Sequence, residues 1–232
     1  MKAMILAAGR GERMRPLTDT CPKPLLHVGS QPLIVWHLQR LAMAGFRDIV
    51  INHAHLGAQI EAALGDGARW RLKIRYSPEP VGALETAGGI ANALPLLGDA
   101  PFLVINGDIF CDWDVARAKG LFASDLAHND LAYLVLVNNP AHHPQGDFAL
   151  ANRRVLPDGA DNRLTFSGIG IYRPEFFDTI ARGQPAKLAP LLRAAATAHR
   201  VAGERHSGRW TDVGTPERLA ELNTQLSGHS ET

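Results

Sequence analysis

Apolar and polar positions along this chain predict strands and helices by turns. Residues 4–8 form an unbroken apolar run, enough for one buried strand, that stops at Gly9. Residues 33–44 carry Ile34, Leu38 and Leu41 at helical spacing, with Pro32 suited to a helix start and Gly45 to its end. Residues 48–51 read as a strand, 57–64 as a helix halted by Gly65-Asp66-Gly67, and 72–76 as a strand. Residues 85–94 read as a helix with Pro95 beyond it, and a buried strand over 102–105 ends at Asn106-Gly107-Asp108. Strands that alternate with helices predict a parallel sheet with helices on both faces.

The rhythm is less regular after residue 110. Residues 131–137 form a strongly apolar strand, 147–150 and 153–156 suit a hairpin, and 164–172 suit a strand interrupted by Ser167-Gly168. Helices are predicted over 174–180 and 188–198, followed by a strand over 201–206. Thr215 is a good N-cap, with Pro216 in the first helical position, for a last helix reaching about residue 226. No repeat, low-complexity linker or composition shift marks a boundary. The expectation is one α/β domain over 1–226, with a mostly parallel central sheet flanked by helices and mixed strands in its second half. A frayed tail follows over 227–232.

Composition sets bounds on this picture. The chain has 232 residues, 46% apolar and 20% charged, and is long enough to bury a core without disulfide or metal staples. A formal net charge of +1 argues against a surface that coats nucleic acid, while leaving room for a local basic pocket. Cys21 and Cys111 are widely spaced with no CxxC pattern, so both read as reduced thiols. No signal peptide and no apolar run of about 18 residues is visible. A cytoplasmic protein is expected, engaging neither nucleic acid nor membrane, as a monomer or small homo-oligomer.

Charge gathers directly behind the first strand. Residues 9–18, Gly-Arg-Gly-Glu-Arg-Met-Arg-Pro-Leu-Thr, turn the backbone sharply and expose N–H groups. Pro22-Lys23-Pro24 then adds a lysine stiffened by its two prolines. Together they predict a phosphate cradle of neither common kind. Met14 stands where the dinucleotide fingerprint needs a third glycine, and Lys23 comes too late for a P-loop. In open α/β sheets ligands sit beyond the carboxyl ends of strands, and both the 9–13 loop and Asp108 fall at such ends. A carboxylate beside a polyphosphate needs a cation between them, and Mg2+ is the natural one. Asp212, in Trp210-Thr211-Asp212-Val213-Gly214 ahead of the last helix, is the candidate second ligand. Taken alone, Asp108 reads equally as a turn or cap residue and Asp212 as a loop residue supporting the Thr215 cap; Asp112 and Asp114 read as loop or cap residues. The adjacent His142 and His143 have no third ligand at metal spacing, so a loop lying over a pocket is the better reading there.

Residues 6–14, with Pro16-Leu17-Thr18 and Pro22-Lys23-Pro24, match at every position the pattern Leu-Ala-Ala-Gly-x-Gly-x-Arg-Met, Pro-Leu-Thr, Pro-Lys-Pro. On that match the chain resembles the sugar-1-phosphate nucleotidyltransferases. The resemblance implies a single-domain Rossmann-like nucleotidyltransferase fold, with 1–110 mainly binding nucleotide and 111–226 mainly binding sugar. It implies that Asp108 and Asp212 share Mg2+ while a nucleotidyl group passes from a nucleoside triphosphate to a sugar-1-phosphate, releasing pyrophosphate. Ala8, Gly9, Gly11 and Glu12 then belong to the nucleotide loop. Arg13 braces the leaving β,γ-phosphates, Lys23 contacts phosphate, and Arg10 and Arg15 are secondary. Thr86 and Gly88 lie at the base and ribose, with Ala87 where close relatives often carry a third glycine, and Glu79 also approaches the base.

Residues 138–148, Asn-Asn-Pro-Ala-His-His-Pro-Gln-Gly-Asp-Phe, together with 165–169 and 187–192, resemble a narrower group. These are the N-acetylmuramate-1-phosphate uridylyltransferases of bacterial cell-wall recycling. That resemblance implies UTP as donor and places Asn139, Asp147, Ser167 and Lys187 at the sugar. Muramate carries a lactyl carboxylate, for which Lys187 or Arg193 would supply the cation. The opening motif leaves open GTP with mannose-1-phosphate, and dTTP or UTP with glucose-1-phosphate. A glycosyltransferase would rest on Asp112-Trp113-Asp114 as its metal motif. A silent nucleotide-sensing domain would tend to lose the arginine, lysine or aspartates that this chain keeps.

Overall fold

Successive side chains of β1 (Ala3–Leu6) enter different cores. Ala3 and Ile5 join Ile34, Leu38, Ile49 and Ile60 on one face, while Met4 joins Val50, Ile90 and Leu97 on the other. A strand covered on both faces needs apolar residues at every position, which is why this segment reads as an unbroken run. The computed structural model describes residues 1–80, 84–124, 129–157 and 163–227. After β1 come a small ribbon of β2 (His27–Val28) and β3 (Gln31–Pro32), then α1 (Leu33–Met43), β4 (Asp48–His53), α2 (Gly57–Leu64), β5 (Lys73–Pro78), α3 (Glu85–Leu97) and β6 (Phe102–Asn106). The second half holds β7 (Ile109–Cys111), α4 (Arg117–Ser124), β8 (Ala132–Val137), β9 (Ala149–Ala151), β10 (Arg154–Leu156), β11 (Thr165–Tyr172), α5 (Leu188–Thr197), β12 (Val201–Arg205), β13 (Trp210–Asp212) and α6 (Pro216–Ser227).

One sheet runs through the molecule in the order β5-β4-β1-β6-β11-β8-β12-β10-β9. The first four strands are parallel, and Leu6 of β1 pairs with both Asn52 and Asn106. β11 enters antiparallel between β6 and β8, β12 lies parallel to β8, and β10 and β9 close the edge antiparallel. β11 and β10 therefore oppose the direction that the other strands share, and the sheet is mostly parallel as expected. Side chains of α1 and α2 pack on one face of it, and those of α3 and α5 on the other. A third, smaller core joins Met14, Val28 and Leu33 to Val213 and Leu222, so it ties the loop after β1 to α6. β13 pairs with β7 in a separate ribbon, with Asp212 opposite Ile109.

Several expectations are corrected in detail. β2, β3, β7 and β13 are too short to show a period, and α4 is too polar. α3 does not stop before Pro95 but continues to Leu97. Proline removes one backbone donor near the end of the helix. The carbonyl of Leu96 there is taken up by Lys2 Nζ at 2.7 Å and Arg75 Nη2 at 2.6 Å. The helix expected over 174–180 is a 3-10 turn, Pro174–Phe177, because Phe176 and Phe177 both bury against Tyr172. β11 is continuous across Ser167-Gly168, with a bulge where its register against β8 shifts between Phe166 and Ile169. β9 and β10 form the expected hairpin, turning through Asn152 and Arg153 at φ 48° and 62°. Apart from Ser227, the tail expected to fray lies outside the described residues. No helix among the described residues is long and apolar enough to cross a membrane.

Candidate active site

The carboxyl ends of β1, β4 and β6 open into a cleft of about 370 Å3. Leu6, Asn52 and Asn106 lie at the strand ends, and the loop after β1 forms one wall. That loop is shaped by Gly11, whose φ of 72° is left-handed. The Gly11 carbonyl accepts from Met14 N at 2.9 Å and from Thr18 Oγ1 at 2.8 Å, so the Pro-Leu-Thr segment ties the loop closed. Met14, in the place of a third glycine, is fully buried and anchors the loop in the small core beside α6. Ala8 and Gly9 line the cleft, and a Cβ built on Gly9 would meet nothing within 4 Å.

Three loop arginines differ in their company. Arg10 Nε pairs with Glu12 at 2.6 Å, and Arg15 Nε pairs with Asp19 at 2.7 Å. Arg13 lines the cleft, exposed, and no partner for it is found among the described residues. It is therefore the loop cation left available to an anion.

Lys23 begins a 3-10 turn after Pro22, and its side chain is nearly buried. Its Nζ donates to Asp108 Oδ2 at 2.6 Å. Asp108 is brought there by Gly107, whose N–H donates to the Leu6 carbonyl at 2.8 Å. A Cβ on Gly107 would stand 2.6 Å from that same oxygen. The Asp108 carbonyl accepts from Val213 N at 2.8 Å, which sets the two aspartate-bearing segments side by side. Asp212 Oδ2 accepts from Arg218 Nη1 at 2.5 Å. Its Oδ1 is buried and accepts no hydrogen bond, with His142 Nε2 lying 3.0 Å away. Asp108 Oδ1 likewise has no donor among the described residues. Two hard carboxylate oxygens without donors, on adjoining segments, fit Mg2+.

At the opposite wall, Glu79 and Asn52 join the loop to the start of α3. Asn52 Oδ1 accepts from Ala7 N at 2.9 Å, and its Nδ2 donates to Glu79 Oε1 at 2.6 Å. Glu79 Oε2 accepts from Leu84 N at 3.3 Å. Thr86 and Glu85 line the cleft at this point. Gly88 faces away from it, since a Cβ there would stand 2.3 Å from the Gln184 carbonyl. The N–H groups of Ala87 and Gly88 both donate to Ala186, at 2.9 and 3.1 Å. Asn52, Asn106 and Gly214 line the cleft without being predicted to, whereas Glu85 opens the 85–89 segment expected at the base and ribose. The signal for the two asparagines was a polar residue ending an apolar strand.

The four residues assigned to the sugar lie outside the lining of this cleft. Asn139 Nδ2 donates to the carbonyls of Pro144 and Arg163, and its Oδ1 accepts from Thr165 Oγ1 at 2.9 Å. Asp147 Oδ2 accepts from Phe166 N at 2.8 Å, while Oδ1 lies 3.1 Å from His143 Nε2. Ser167 is buried at the bulge, its Oγ accepting from Ile169 N and its carbonyl from Trp210 Nε1. Lys187 is exposed at the start of α5, and Arg193 stands 5.8 Å from the Phe148 ring centroid.

His37 of α1 is buried, and desolvation lowers its pKa to about 4, so it is neutral. At the far end of the β7–β13 ribbon, Cys111, Asp112 and His206 bring ligand atoms within 4.8 Å of one another. His206 Nε2 and Asp112 Oδ1 already pair at 2.7 Å, and burial pushes the Cys111 thiol up to about 11. Asp114 Oδ1 accepts from Ala116 N at 3.0 Å, ahead of α4.

Comparison with known proteins adds to this geometry. The family model described as nucleotidyl transferase matches residues 2–228. An N-acetylmuramate alpha-1-phosphate uridylyltransferase from Neisseria meningitidis is 61% identical, over 95% of this chain and 96% of its own. A protein of the same name from Caulobacter vibrioides is 35% identical, over 97% and 96%. A mannose-1-phosphate guanylyltransferase from Mycobacterium tuberculosis is 30% identical over 97% of this chain and 64% of its own. Among solved structures, a Bacillus anthracis protein assigned as a glucose-1-phosphate thymidylyltransferase, crystallised with sucrose, superposes with a TM-score of 0.85. It covers 97% of this chain and 94% of its own at 23% identity, a likeness of fold.

Proposed function

The chain belongs to the nucleotidyl transferase family, and from that premise we propose that it transfers a uridylyl group from UTP to N-acetylmuramate α-1-phosphate, forming UDP-N-acetylmuramate and pyrophosphate. The observation that carries the choice of substrates is the 61% identity to a relative of that name over nearly the whole of both chains. The cleft supports the reaction class. An oxygen of the acceptor phosphate attacks the α-phosphorus of UTP, the bond to the bridging oxygen breaks, and pyrophosphate leaves with its electron pair. The acceptor oxygen is already anionic near neutral pH, so no strong general base is required. Alignment and charge neutralisation then account for most of the rate.

Arg13, which has no carboxylate partner among the described residues, braces the β- and γ-phosphates. Lys23 spends one N–H on Asp108, and an ammonium has two more for phosphate oxygens. Asp108 and Asp212 would hold Mg2+, which would supply charge neutralisation for the reaction. Ala8, Gly9, Gly11 and Glu12 carry the triphosphate loop. Thr86 stands toward the ribose, while Glu79 holds the entrance of α3 through Asn52 and Leu84. Gly88 serves by letting α3 approach residues 184–186. Asn139 and Asp147 shape the acceptor side by fixing the 138–148 loop to β11, Ser167 by holding the β11 bulge to Trp210, and Lys187 or Arg193 answers the lactyl carboxylate. Residues 1–110 thus mainly bind nucleotide and 111–226 sugar, within one domain. A reaction that consumes UTP places the protein in the cytoplasm.

The reading is tested by following pyrophosphate and UDP separately. Pyrophosphate is expected when UTP, N-acetylmuramate-1-phosphate and Mg2+ are all present, and its release is expected to stop with EDTA. No pyrophosphate from that mixture, with UTP either left intact or hydrolysed to UDP and inorganic phosphate, would refute the proposal.

A further inference from the structure

Asp108, which lines the cleft, and Asp212, on the adjoining segment outside that lining, each have one oxygen held by a cation. For Asp108 the cation is Lys23, at 2.6 Å from Oδ2, and for Asp212 it is Arg218, at 2.5 Å from Oδ2. We propose that Arg218 is a positioning residue for the metal site: its guanidinium fixes Asp212 by Oδ2 and so holds Oδ1 ready for the metal. The inference rests on the reading of Asp108 and Asp212 as Mg2+ ligands.

Three observations carry it. First, the Arg218 side chain is only 13% exposed, and a guanidinium so buried must be paired. Its Nη1 is shared between Asp212 and His142 Nε2, the latter at 2.6 Å. Second, the backbone is fitted to it. Gly214 lines the cleft, and a Cβ there would stand 2.2 Å from Arg218 Nη2 and 2.9 Å from its Cζ. Thr215 Oγ1 accepts from Arg218 N at 3.4 Å, so the first turn of α6 directs the side chain back over the end of β13. Third, the oxygen that the guanidinium leaves alone is buried and accepts no hydrogen bond among the described residues, with His142 Nε2 3.0 Å away.

A cation beside a metal site repels the metal as well as orienting its ligand. Here the guanidinium sits on Oδ2 and leaves Oδ1, the candidate ligand, and the site has few carboxylates to lose. Orientation therefore governs, and removing such an outer partner typically weakens metal binding about 10–100-fold. His142 belongs to the 138–148 loop, so the same guanidinium also links the metal ligand to the acceptor side.

Mn2+ binding without nucleotide, read from the free-ion electron paramagnetic resonance signal, tests this apart from turnover. Arg218→Ala is expected to weaken Mn2+ binding at least about tenfold, and Arg218→Lys to recover part of the loss. Gly214→Ala is expected to reproduce the loss, since its methyl would displace the guanidinium and crowd Asp212 Oδ2, 3.2 Å away, while leaving the fold intact. It also carries the test if Arg218→Ala does not fold. Asp212→Asn, measured alongside, should bind Mn2+ weakly. Normal or tighter Mn2+ binding by folded Arg218→Ala and by Gly214→Ala, with Asp212→Asn defective, would overturn the positioning role. A parent protein that binds no Mn2+, or an Asp212→Asn variant that binds it normally, would instead retire the metal reading beneath it.

Discussion

Lys23 is a nearly buried charge held by one carboxylate, and its partner Asp108 keeps 39% of its side chain exposed. That asymmetry separates function from folding. Lys23→Ala leaves Asp108 in contact with water, so the cost to stability is modest, whereas a cation aimed at phosphate is lost. Turnover is expected to fall on the order of 10²–10³-fold in Lys23→Ala and in Asp108→Asn, with thermal midpoints only a few degrees lower. Steady-state kinetics beside a melting curve checks both, and near-parental turnover in the pair would sink the assignment. His37 makes a prediction about pH. Its pKa is lowered from 6.5 to about 4, mainly by burial, so the unfolded chain binds its proton more readily. Stability from keeping it neutral is complete above the unfolded value and is lost as pH falls from about 6.5 toward 4. The effect is on the order of 3 kcal/mol. Denaturant melts at several pH values should show an acid-side loss that shrinks in His37→Leu. At this scale the loop was legible because its chemistry is local: Gly11, Arg13 and Lys23 announce a phosphate site by type and spacing. Arg218 was not, because its meaning depends on Asp212, His142 and Gly214 meeting in space.

The elements explain why two similar glycines should fail differently. Gly107 ends β6 against β1, where an added methyl would meet the backbone oxygen of Leu6 at 2.6 Å. Neither strand can yield, so Gly107→Ala is expected to cost about 1–3 kcal/mol and to displace Asp108. Gly9 faces the open cleft, where a methyl meets nothing within 4 Å. Gly9→Ala should therefore melt like the parent and yet bind UTP more weakly, because the methyl takes space meant for phosphate. Equal loss of stability in the two variants would contradict this account of the loop. Long, strongly periodic elements such as α1, β4, β6 and β8 could be read from pattern alone. The β7–β13 ribbon could not, although it brings the two aspartate-bearing segments side by side through Val213 N and the Asp108 carbonyl, because three-residue strands carry no period. Pro95 misled for a related reason. The helix runs past proline to an end where Lys2 and Arg75, distant in sequence, both donate to the Leu96 carbonyl.

Across the whole molecule, one sheet carries two kinds of surface. The parallel strands β5, β4, β1 and β6 end in a cleft whose residues come from short segments near their strand ends. Beyond β6, the antiparallel β11 and its bulge bring Ser167, Trp210 and the 138–148 loop together by long-range pairing. Asn139 and Asp147 spend their polar atoms on Arg163, Thr165 and Phe166, and sequence gives no rule for such pairings. The nucleotide side was consequently more legible than the acceptor side, and the acceptor is where the central claim is exposed. The most direct test is kcat/KM for pyrophosphate release from UTP with N-acetylmuramate-, glucose-, mannose- and N-acetylglucosamine-1-phosphate as acceptors. N-acetylmuramate-1-phosphate is expected to exceed each of the others at least about tenfold, the value of one well-placed charge contact at 1.4 kcal/mol. Equal or better use of any other acceptor would contradict the account.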